Sequence, residues 1–293
     1  MQEKTVLSKR VLVAGATGQQ GGAVARELLK RGHFVRALTR KPDSPAAEAL
    51  DKKGAEILVG SFENPASMEA ACKGTDCVYA MGTPYEGGVD AEKAQTLALI
   101  DAAAKAGTGH IVFGSVGDAN KSTGIPHFDS KYDVEQHLVK LDVPYTILGP
   151  VWFMENALSP WYLPELKEGR LPIPLPADRV CQQVAIENIG QVAMSVIDAG
   201  DPYFGKRIDL AGDELSGSRM AEIISEVSGK PIQYIEVPID EMMKMNEDWG
   251  KMFDWFNKVG YSTDIPALKR DFTWVKWMTF EDWAKNQDWS VIK

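Results

Sequence analysis

The sequence predicts an α/β protein, with a Rossmann-type doubly wound parallel sheet and a smaller C-terminal α/β lobe. A short apolar run at residues 11–14 leads into three glycines spaced three apart, Gly15, Gly18 and Gly21, and a helical pattern follows. Strand-like and helix-like segments then alternate, which implies right-handed crossovers between parallel strands. All 8 tryptophans lie beyond Pro150, so the composition changes there and marks a second lobe.

The hydrophobic periodicity assigns the elements in order. Strands are predicted at residues 11–14, 34–38, 55–59, 77–81, 111–115 and 145–148, and helices after the glycines and around 66–72, 91–106 and 129–141. Gly32 is expected to end the first helix, because glycine readily adopts the left-handed conformation found there. Ligands of such sheets bind beyond the carboxyl ends of the strands, so functional residues are expected in the connections that follow each strand.

The glycine pattern indicates a dinucleotide-binding loop. Gly15 permits a tight turn, Gly18 lets the backbone approach a pyrophosphate at the helix N-terminus, and Gly21 allows close packing of helix and strand. The GxxGxxG spacing also occurs in ordinary structural turns, and the strand–turn–helix context is what favours the cofactor. The other loop residues predicted to contact the dinucleotide are Thr17, Gln19 and Gln20.

The end of the second predicted strand favours NADP(H) over NAD(H). A chain that binds NAD usually places Asp or Glu about 20 residues after the glycine loop. Here Arg40 and Lys41 follow Thr39, and the first acid is Asp43. A guanidinium binds a 2′-phosphate with paired hydrogen bonds and stacks on adenine, whereas a carboxylate repels that phosphate. The alternative is that Arg40 and Lys41 are solvated loop charges.

Length and charge set the domain organisation and the class of partner. The 293 residues accommodate a dinucleotide-binding domain at 1–150 and a substrate- or partner-binding lobe at 151–293, from which some segments return to the first sheet. The net charge of −9 argues against direct nucleic-acid binding. The sequence has no apolar run of membrane-spanning length, and its start lacks a signal-peptide core, so a cytoplasmic location is expected.

The cysteines and histidines do not indicate a metal site. Cys72, Cys77 and Cys181 lack any zinc-binding spacing and are expected to be reduced and partly buried. The four histidines lack the i, i+4 pairing of a helical metal site. No metal is therefore expected.

The aromatic residues of the second lobe are candidates for a ligand pocket, because large amphipathic rings commonly wall such pockets. Trp152, Phe153 and Trp161 are the predicted substrate contacts. The alternative is that the tryptophans fill the core of a small, loop-rich lobe.

Two further patterns concern local structure in this lobe. Prolines at 172, 174 and 176 indicate a stiff loop rather than a helix or a central strand. Thr279 and Asp282 form a variant of the capping box, which predicts that a final amphipathic helix begins there.

Several segments resemble the NmrA-like branch of the atypical short-chain dehydrogenases/reductases. They are GATGQQGG at 15–22, Thr39-Arg40, HFDSK at 127–131, VWFMEN at 151–156 and FEDW at 280–283. The resemblance covers most of the chain, and the combination of HFDSK with FMEN is its most specific part. It implies an extended Rossmann fold that binds NADP(H), in some members NAD(H).

The resemblance also implies further cofactor contacts. The connection after the fourth strand is expected to pass along the cofactor, and Phe62 is expected to cover adenine. Ser61 stands where the family more usually has Asp, which leaves adenine recognition less well defined than phosphate recognition. The remaining implied contacts are Gly82, Thr83, Pro84, Pro150, Phe153 and Asn156.

The implied catalytic residues depart from the wider superfamily at one position. Related dehydrogenases use a Tyr followed four residues later by a Lys, and this chain retains Lys131 but has His127 in place of the Tyr. Residues four apart share one helix face, so both side chains can reach one substrate oxygen. His127 is either a general acid or a residue that starts the helix after Pro126. Lys131 either bonds the cofactor ribose or forms a surface salt bridge, and Ser115 either orients the substrate carbonyl or belongs to a tight turn.

Two classes of function follow from the resemblance. The first is an NADPH-dependent reductase of a small apolar, aromatic or quinone-like molecule, like family members that reduce quinones, phenylpropanoids or dyes. The second is a non-catalytic sensor whose cofactor state controls binding of a regulatory protein partner, like a fungal nitrogen-metabolite regulator and a human NADPH sensor. The tryptophan-rich lobe and Lys131 favour the first, and the missing Tyr favours the second.

Overall fold

The computed structural model describes residues 7–60 and 64–293. These residues form two compact units. Unit 1 contains the described residues up to Ala119, Ser130–Gly149 and Ile189–Ile208, and unit 2 contains Asn120–Asp129, Pro150–Asn188 and Asp209–Lys293. Each unit is therefore assembled from segments that are separated along the chain.

Strands and helices alternate through the first half of the chain. The strands are β1 (Arg10–Val13), β2 (Phe34–Thr39), β3 (Glu56–Val59), β4 (Cys77–Ala80), β5 (His110–Gly114), β6 (Tyr145–Pro150), β7 (Trp152–Phe153), β8 (Arg170–Ile173), β9 (Val180–Val184), β10 (Lys206–Leu210), β11 (Asp213–Ser216) and β12 (Gln233–Glu236). The helices are α1 (Gln19–Arg31), α2 (Pro45–Asp51), α3 (Pro65–Cys72), α4 (Pro84–Lys105), α5 (Pro126–Leu138), α6 (Leu163–Lys167), α7 (Ile186–Ala199), α8 (Gly217–Ser228), α9 (Ile239–Met245), α10 (Glu247–Lys258), α11 (Ile265–Asp271) and α12 (Phe280–Lys285).

Unit 1 is built on a doubly wound sheet. Among the described residues the sheet has seven strands in the order β10-β6-β5-β4-β1-β2-β3. β1 pairs in parallel with β2 and β4, and parallel pairing continues to β3 on one side and to β5 and β6 on the other. The strand order therefore reverses between β1 and β4, where sheets of this kind bind their ligands. The predicted fold class is confirmed.

The centre of the sheet is buried. Every residue of β4 and β5 is buried, as expected for strands covered by helices. Leu12 and Ile111 of the sheet share a core cluster with Met68, Leu99 and Val134, which come from α3, α4 and α5. This packing gives the connections at the strand ends a rigid base.

Several local predictions are confirmed. Each of the six predicted strands is present, as β1 to β6. Gly32 ends α1 in the left-handed conformation, with φ of +91°. Cys72, Cys77 and Cys181 are buried free thiols, and burial raises the pKa of each to about 12. These thiols therefore stay protonated near neutral pH.

One helix and two helix starts differ from the prediction. α2 was not predicted, and Ser44 caps it by accepting a hydrogen bond from the N–H of Ala47 at 3.3 Å. α4 begins at Pro84 rather than at residue 91, and it bends at Gly88. α5 begins at Pro126 rather than at residue 129, so His127 lies inside the first helical turn. Proline suits the first helical position because the N–H that it lacks has no helical acceptor there.

Unit 2 contains two small sheets among its described residues. β9 pairs antiparallel with β11 and parallel with β7, and β8 pairs in parallel with β12. Pro172 lies inside β8, so the predicted loop begins later than expected. The strand accepts this proline because both strands of a two-stranded sheet are edge strands. The predicted capping box is confirmed, because Thr279 Oγ1 accepts from the N–H of Asp282 at 3.1 Å and Asp282 accepts from the N–H of Thr279 at 3.2 Å.

Candidate functional site

The glycine loop joins β1 to α1 at the carboxyl end of the sheet. Gly15 has φ of +61°, a conformation that only glycine adopts without strain. The N–H of Gly18 donates to the carbonyl of Gly15 at 2.9 Å and closes the turn. A Cβ atom at Gly21 would lie 2.4 Å from the Gly15 carbonyl oxygen, so this position requires glycine. Gly15 and Gly18 are exposed. The N-cap residue Gly18 has no side chain that could accept hydrogen bonds from the first turn of α1, so the N–H groups of that turn can bind an anionic ligand.

The polar residues of this loop have different surroundings. Gln20 is buried, and its side-chain amide donates to the hydroxyl of Tyr79 at 2.7 Å. Thr17 lies beside Thr39, the last residue of β2, with 3.5 Å between their hydroxyl oxygens. Gln19 is exposed. The Gln20 side chain therefore has a structural partner, and the cofactor contacts of Thr17, Gln19 and Gln20 stay predictions.

Two basic residues follow β2. Arg40 and Lys41 are both exposed, and the N–H of Lys41 donates to the Thr39 hydroxyl at 3.0 Å. Because Thr39 also lies beside Thr17, the backbone that carries the two cations follows directly from a residue beside the glycine loop. A phosphate bound at this edge of the sheet would meet positive charge.

The connection after β4 packs between the glycine loop and α4. A Cβ atom at Gly15 would lie 3.2 Å from the sulfur of Met81. A Cβ atom at Gly82 would lie 2.7 Å from Cγ of Glu92, so the Glu92 side chain runs directly against this connection. The other predicted contacts in the connection are Thr83, the N-cap of α4, and Pro84, its first residue.

Lys131 and Glu92 form an ion pair inside unit 1. The Lys131 ammonium contacts Glu92 Oε1, and the two side chains are only 12% and 3% exposed. An ion pair with a neighbouring acid was the alternative interpretation of Lys131, but the pair is buried rather than at the surface. Glu92 was not predicted, because a single glutamate inside a predicted helix has no distinguishing pattern.

Ser115 belongs to a buried hydrogen-bond network. Its hydroxyl donates to Glu135 Oε1, and Arg207 donates to the other oxygen of that carboxylate at 3.0 Å. Arg207 also donates to the carbonyl of Val116 at 2.7 Å. The network connects β10, α5 and the end of β5, which gives the Ser115 hydroxyl structural partners, and its catalytic role stays a prediction. Neither Glu135 nor Arg207 was predicted.

His127 is held by an acid from α10. Its Nδ1 lies 2.5 Å from one carboxylate oxygen of Asp248, and its backbone N–H donates to the other at 3.2 Å. Burial tends to raise the pKa of Asp248, but the hydrogen bonds and charge of His127 outweigh burial and hold that pKa below its ordinary 3.8. Asp248 is therefore ionised near neutral pH, and it orients the imidazole ring.

The predicted substrate contacts lie in unit 2. Trp152 is half-buried and packs edge-on against Phe253, with 6.0 Å between ring centroids. Trp161 is 52% exposed and packs edge-on against Trp249 at 5.0 Å. Phe153 is half-buried beside Trp152 in β7. The two most buried tryptophans are Trp283 and Trp289, and for these two the alternative holds that tryptophans fill the core of the lobe.

Glu155, in the FMEN segment, caps α7. Both of its carboxylate oxygens lie 3.1 Å from the N–H of Ile186, the first residue of α7, and Oε1 accepts from the indole N–H of Trp283 at 3.1 Å. Burial raises the pKa of Glu155 to about 7. Asn156 is half-buried in the same turn, and Pro150 is buried at the end of β6. Glu155 thus has a structural role in positioning the predicted contacts beside it.

Glu155 is expected to make stability depend on pH. Its pKa is higher in the folded chain, about 7, than its ordinary value of 4.5, so the folded state binds the proton more tightly. Its contribution to the free energy of unfolding is therefore complete below pH 4.5 and is lost as pH rises through about 7. The loss amounts to about 3 kcal/mol. Urea unfolding of wild type and Glu155→Gln between pH 4.5 and 8 measures it, because the amide does not titrate.

The control is Glu168→Gln, an exposed acid of the same unit. Its stability is expected to follow that of wild type across this pH range. Parallel curves for wild type and Glu155→Gln would contradict the assignment.

The remaining predictions concern adenine binding, metal binding and membrane-spanning helices. Phe62 is outside the described residues, so its contact with adenine stays a prediction. Within residues 7–60 and 64–293, no group of three or more His, Cys, Asp or Glu side chains is arranged to hold a metal ion. Over the same residues, no helix combines the length and the apolar character needed to span a bilayer.

The chain belongs to the NmrA-like family, whose sequence pattern it matches over residues 7–284. An NmrA-like family domain-containing protein of Dictyostelium discoideum is 30% identical over 273 residues, which cover 87% of this chain and 89% of that protein. The NAD(P)H azoreductase of Xenophilus azovorans is 26% identical over 233 residues, covering 79% of this chain and 78% of the enzyme. The family resemblance noted in the sequence is confirmed.

Solved structures share the fold at lower identity. NmrA, a negative transcriptional regulator in complex with NADP, superposes with a TM-score of 0.78 at 20% identity, covering 97% of this chain and 99% of that one. An NADPH-dependent quinone oxidoreductase from Escherichia coli superposes with a TM-score of 0.76 at 22% identity, covering 94% and 98%. These similarities establish the fold.

Proposed function

We propose that this chain binds NADP(H) and uses it to reduce a small apolar, aromatic or quinone-like substrate. The observation that carries the proposal is a continuous line of contacts in unit 1. It runs from Gly15 through Met81 and Gly82 to Glu92 and Lys131. An exposed glycine loop and a buried lysine therefore lie along one edge of the sheet. Relatives named as reductases support the same function.

The residues of unit 1 fit a pyridine dinucleotide. The exposed turn at Gly15 and Gly18 would receive the pyrophosphate at the N-terminus of α1. Arg40 would bind the 2′-phosphate, and Lys131 would bind the nicotinamide ribose. The reduced cofactor, when bound, supplies a hydride. The protein's part is to orient the substrate and to supply the proton.

His127 is the proposed proton donor. With Nδ1 held by Asp248, the ring would donate through Nε2 to the substrate oxygen. Lys131 follows one turn later in the same helix and would stabilise negative charge on that oxygen. Asp248 is a positioning residue, because it acts on the substrate only through His127.

A second function is favoured by the residue at position 127. The Tyr of related dehydrogenases is missing there, and NmrA is described as a regulator that was solved with NADP. In this alternative the chain binds NADP(H) without turnover, and its cofactor state controls binding of a protein partner.

Thermal shift and NADPH oxidation together distinguish these functions. NADPH at a hundredfold excess over Kd is expected to stabilise the fold by about 2.7 kcal/mol. With quinones or conjugated aromatic carbonyls present, NADPH absorbance is expected to fall. A thermal shift without oxidation of NADPH by any of these substrates would favour the regulator. If neither NADPH nor NADH changes the Tm, dinucleotide binding is contradicted.

Arg40→Ala is expected to weaken NADPH binding selectively. Loss of a charge-assisted hydrogen bond to the 2′-phosphate corresponds to about a tenfold rise in Kd for NADPH, whereas NADH lacks this phosphate. Calorimetric titration with both cofactors measures the difference. Lys52→Ala, which removes an exposed cation from the end of α2, is the control. Equal losses for NADPH and NADH in Arg40→Ala would rule out recognition of the 2′-phosphate.

A further inference from the structure

Glu92 has one carboxylate oxygen without a partner. The residue is 3% exposed, and its Oε1 contacts the Lys131 ammonium. Its Oε2 is buried and accepts no hydrogen bond from any residue that the structure describes. A buried carboxylate oxygen without a donor loses hydration that nothing replaces, so such atoms usually have a partner. The missing donor is therefore sought beyond the residues that the structure describes.

The position of this oxygen limits what the donor can be. Glu92 runs against Gly82, where even a Cβ atom would lie 2.7 Å from its Cγ, and Gly82 directly follows the residue that touches the glycine loop. Lys131, Thr96 and Phe113 line the same narrow space beside the carboxylate. The unpartnered oxygen thus lies at the carboxyl edge of β4, next to the point where the strand order reverses.

We propose that Glu92 is a cofactor-binding residue, whose Oε2 accepts a hydrogen bond from a hydroxyl of the nicotinamide ribose. This inference rests on the proposed binding of NADP(H). A ribose presents two adjacent hydroxyls, each both donor and acceptor, whereas an ammonium only donates and an ionised carboxylate only accepts. The Lys131–Glu92 pair therefore complements a diol.

The alternative role for Glu92 is purely structural, as the counter-ion of Lys131. With Lys131 kept in place, the two roles predict opposite changes in affinity. Removing a negative charge beside an anionic ligand removes a Coulomb repulsion, so the ligand binds more tightly. Removing the acceptor of a ribose hydroxyl weakens binding, and only for ligands that contain this ribose.

The test is direct calorimetric binding of NADP⁺ and of 2′,5′-ADP, which lacks the nicotinamide ribose. For Glu92→Gln, the Kd for NADP⁺ is expected to rise about tenfold, while the Kd for 2′,5′-ADP stays within about twofold of wild type. Glu69→Gln is the matched control, since it removes an acid from a surface pair with Lys105. It is expected to bind both ligands like wild type.

Glu92→Asp keeps the test decisive if Glu92→Gln does not fold. Aspartate retains the charge beside Lys131 but withdraws the carboxylate by one methylene, so selective weakening of NADP⁺ binding is again expected. Unchanged or tighter NADP⁺ binding in the folded variants would overturn the role of Glu92. A wild-type chain that binds neither ligand would instead contradict the proposed function.

Discussion

Gly18→Val is expected to weaken NADPH binding about 100-fold while the protein stays folded. A Cβ atom at Gly18 would lie 3.3 Å from the Gly15 carbonyl oxygen, and the backbone at this exposed position is extended, which valine accepts. The valine methyl groups would occupy the space over the N-terminus of α1. Loss of two charge-assisted hydrogen bonds to phosphate raises the Kd about 100-fold. Calorimetric titration with NADPH measures this change.

Gly21→Ala is expected to destabilise the fold itself. The added Cβ would lie 2.4 Å from the Gly15 carbonyl oxygen and 2.6 Å from that of Ala14, and backbone atoms cannot yield as a flexible side chain does. Overpacking of this kind costs about 3 kcal/mol, which lowers the Tm of a chain of this size by roughly 5 °C. Differential scanning calorimetry without cofactor measures the loss.

Gly18→Ala is the control for both variants. Its single Cβ would lie 3.3 Å from the Gly15 carbonyl oxygen, a contact that a shift of a few tenths of an ångström relieves, so its stability is expected to stay within about 0.5 kcal/mol of wild type. Comparison with Gly18→Val separates loss of conformational freedom from the steric block by the larger side chain. Normal NADPH affinity in Gly18→Val would contradict the assignment of this loop to the pyrophosphate.

Lys131→Ala is expected to lower kcat about 100-fold, because it removes a cation that stabilises charge on the substrate oxygen in the transition state. NADPH affinity should fall as well, since the ribose contact is lost. Stopped-flow measurement of NADPH oxidation with a quinone substrate separates kcat from binding. Lys131→Arg is the control, because it keeps a cation for the buried Glu92 carboxylate and so preserves the fold.

The outcome for Lys131→Ala also separates the two proposed functions. A wild-type turnover that the change leaves intact would remove Lys131 from catalysis. Weaker NADPH binding in a chain without any turnover would support the regulator.

His127→Phe is expected to lower kcat at least 100-fold, because a general acid is lost. Asp248→Asn is expected to alter the pH profile of kcat. Unchanged turnover in His127→Phe would rule out the proposed proton donor.

The fold of unit 1 was readable from the sequence because its signals are local. The apolar run before Gly15 and the strand–helix alternation each depend on residues close together in the chain, and they predicted the six parallel strands. Gly32 was identified in the same way, as a helix terminus needs one residue in the left-handed conformation. Helix starts were less accurate. Pro84 and Pro126 begin helices at positions that the hydrophobic pattern alone does not mark.

The partners of the candidate functional residues were decided only by tertiary structure. Asp248 lies 121 residues from His127, and Glu92 lies 39 residues from Lys131. A single sequence shows periodicity and turn chemistry but does not show which charges meet across helices, since that depends on how the helices pack. The sequence by itself therefore determined the family and the fold of unit 1, and it identified the glycine loop, His127 and Lys131 as candidates. Packing decided that the lysine has a buried carboxylate partner and the histidine an ionised aspartate, because burial and pairing arise only when distant segments come together.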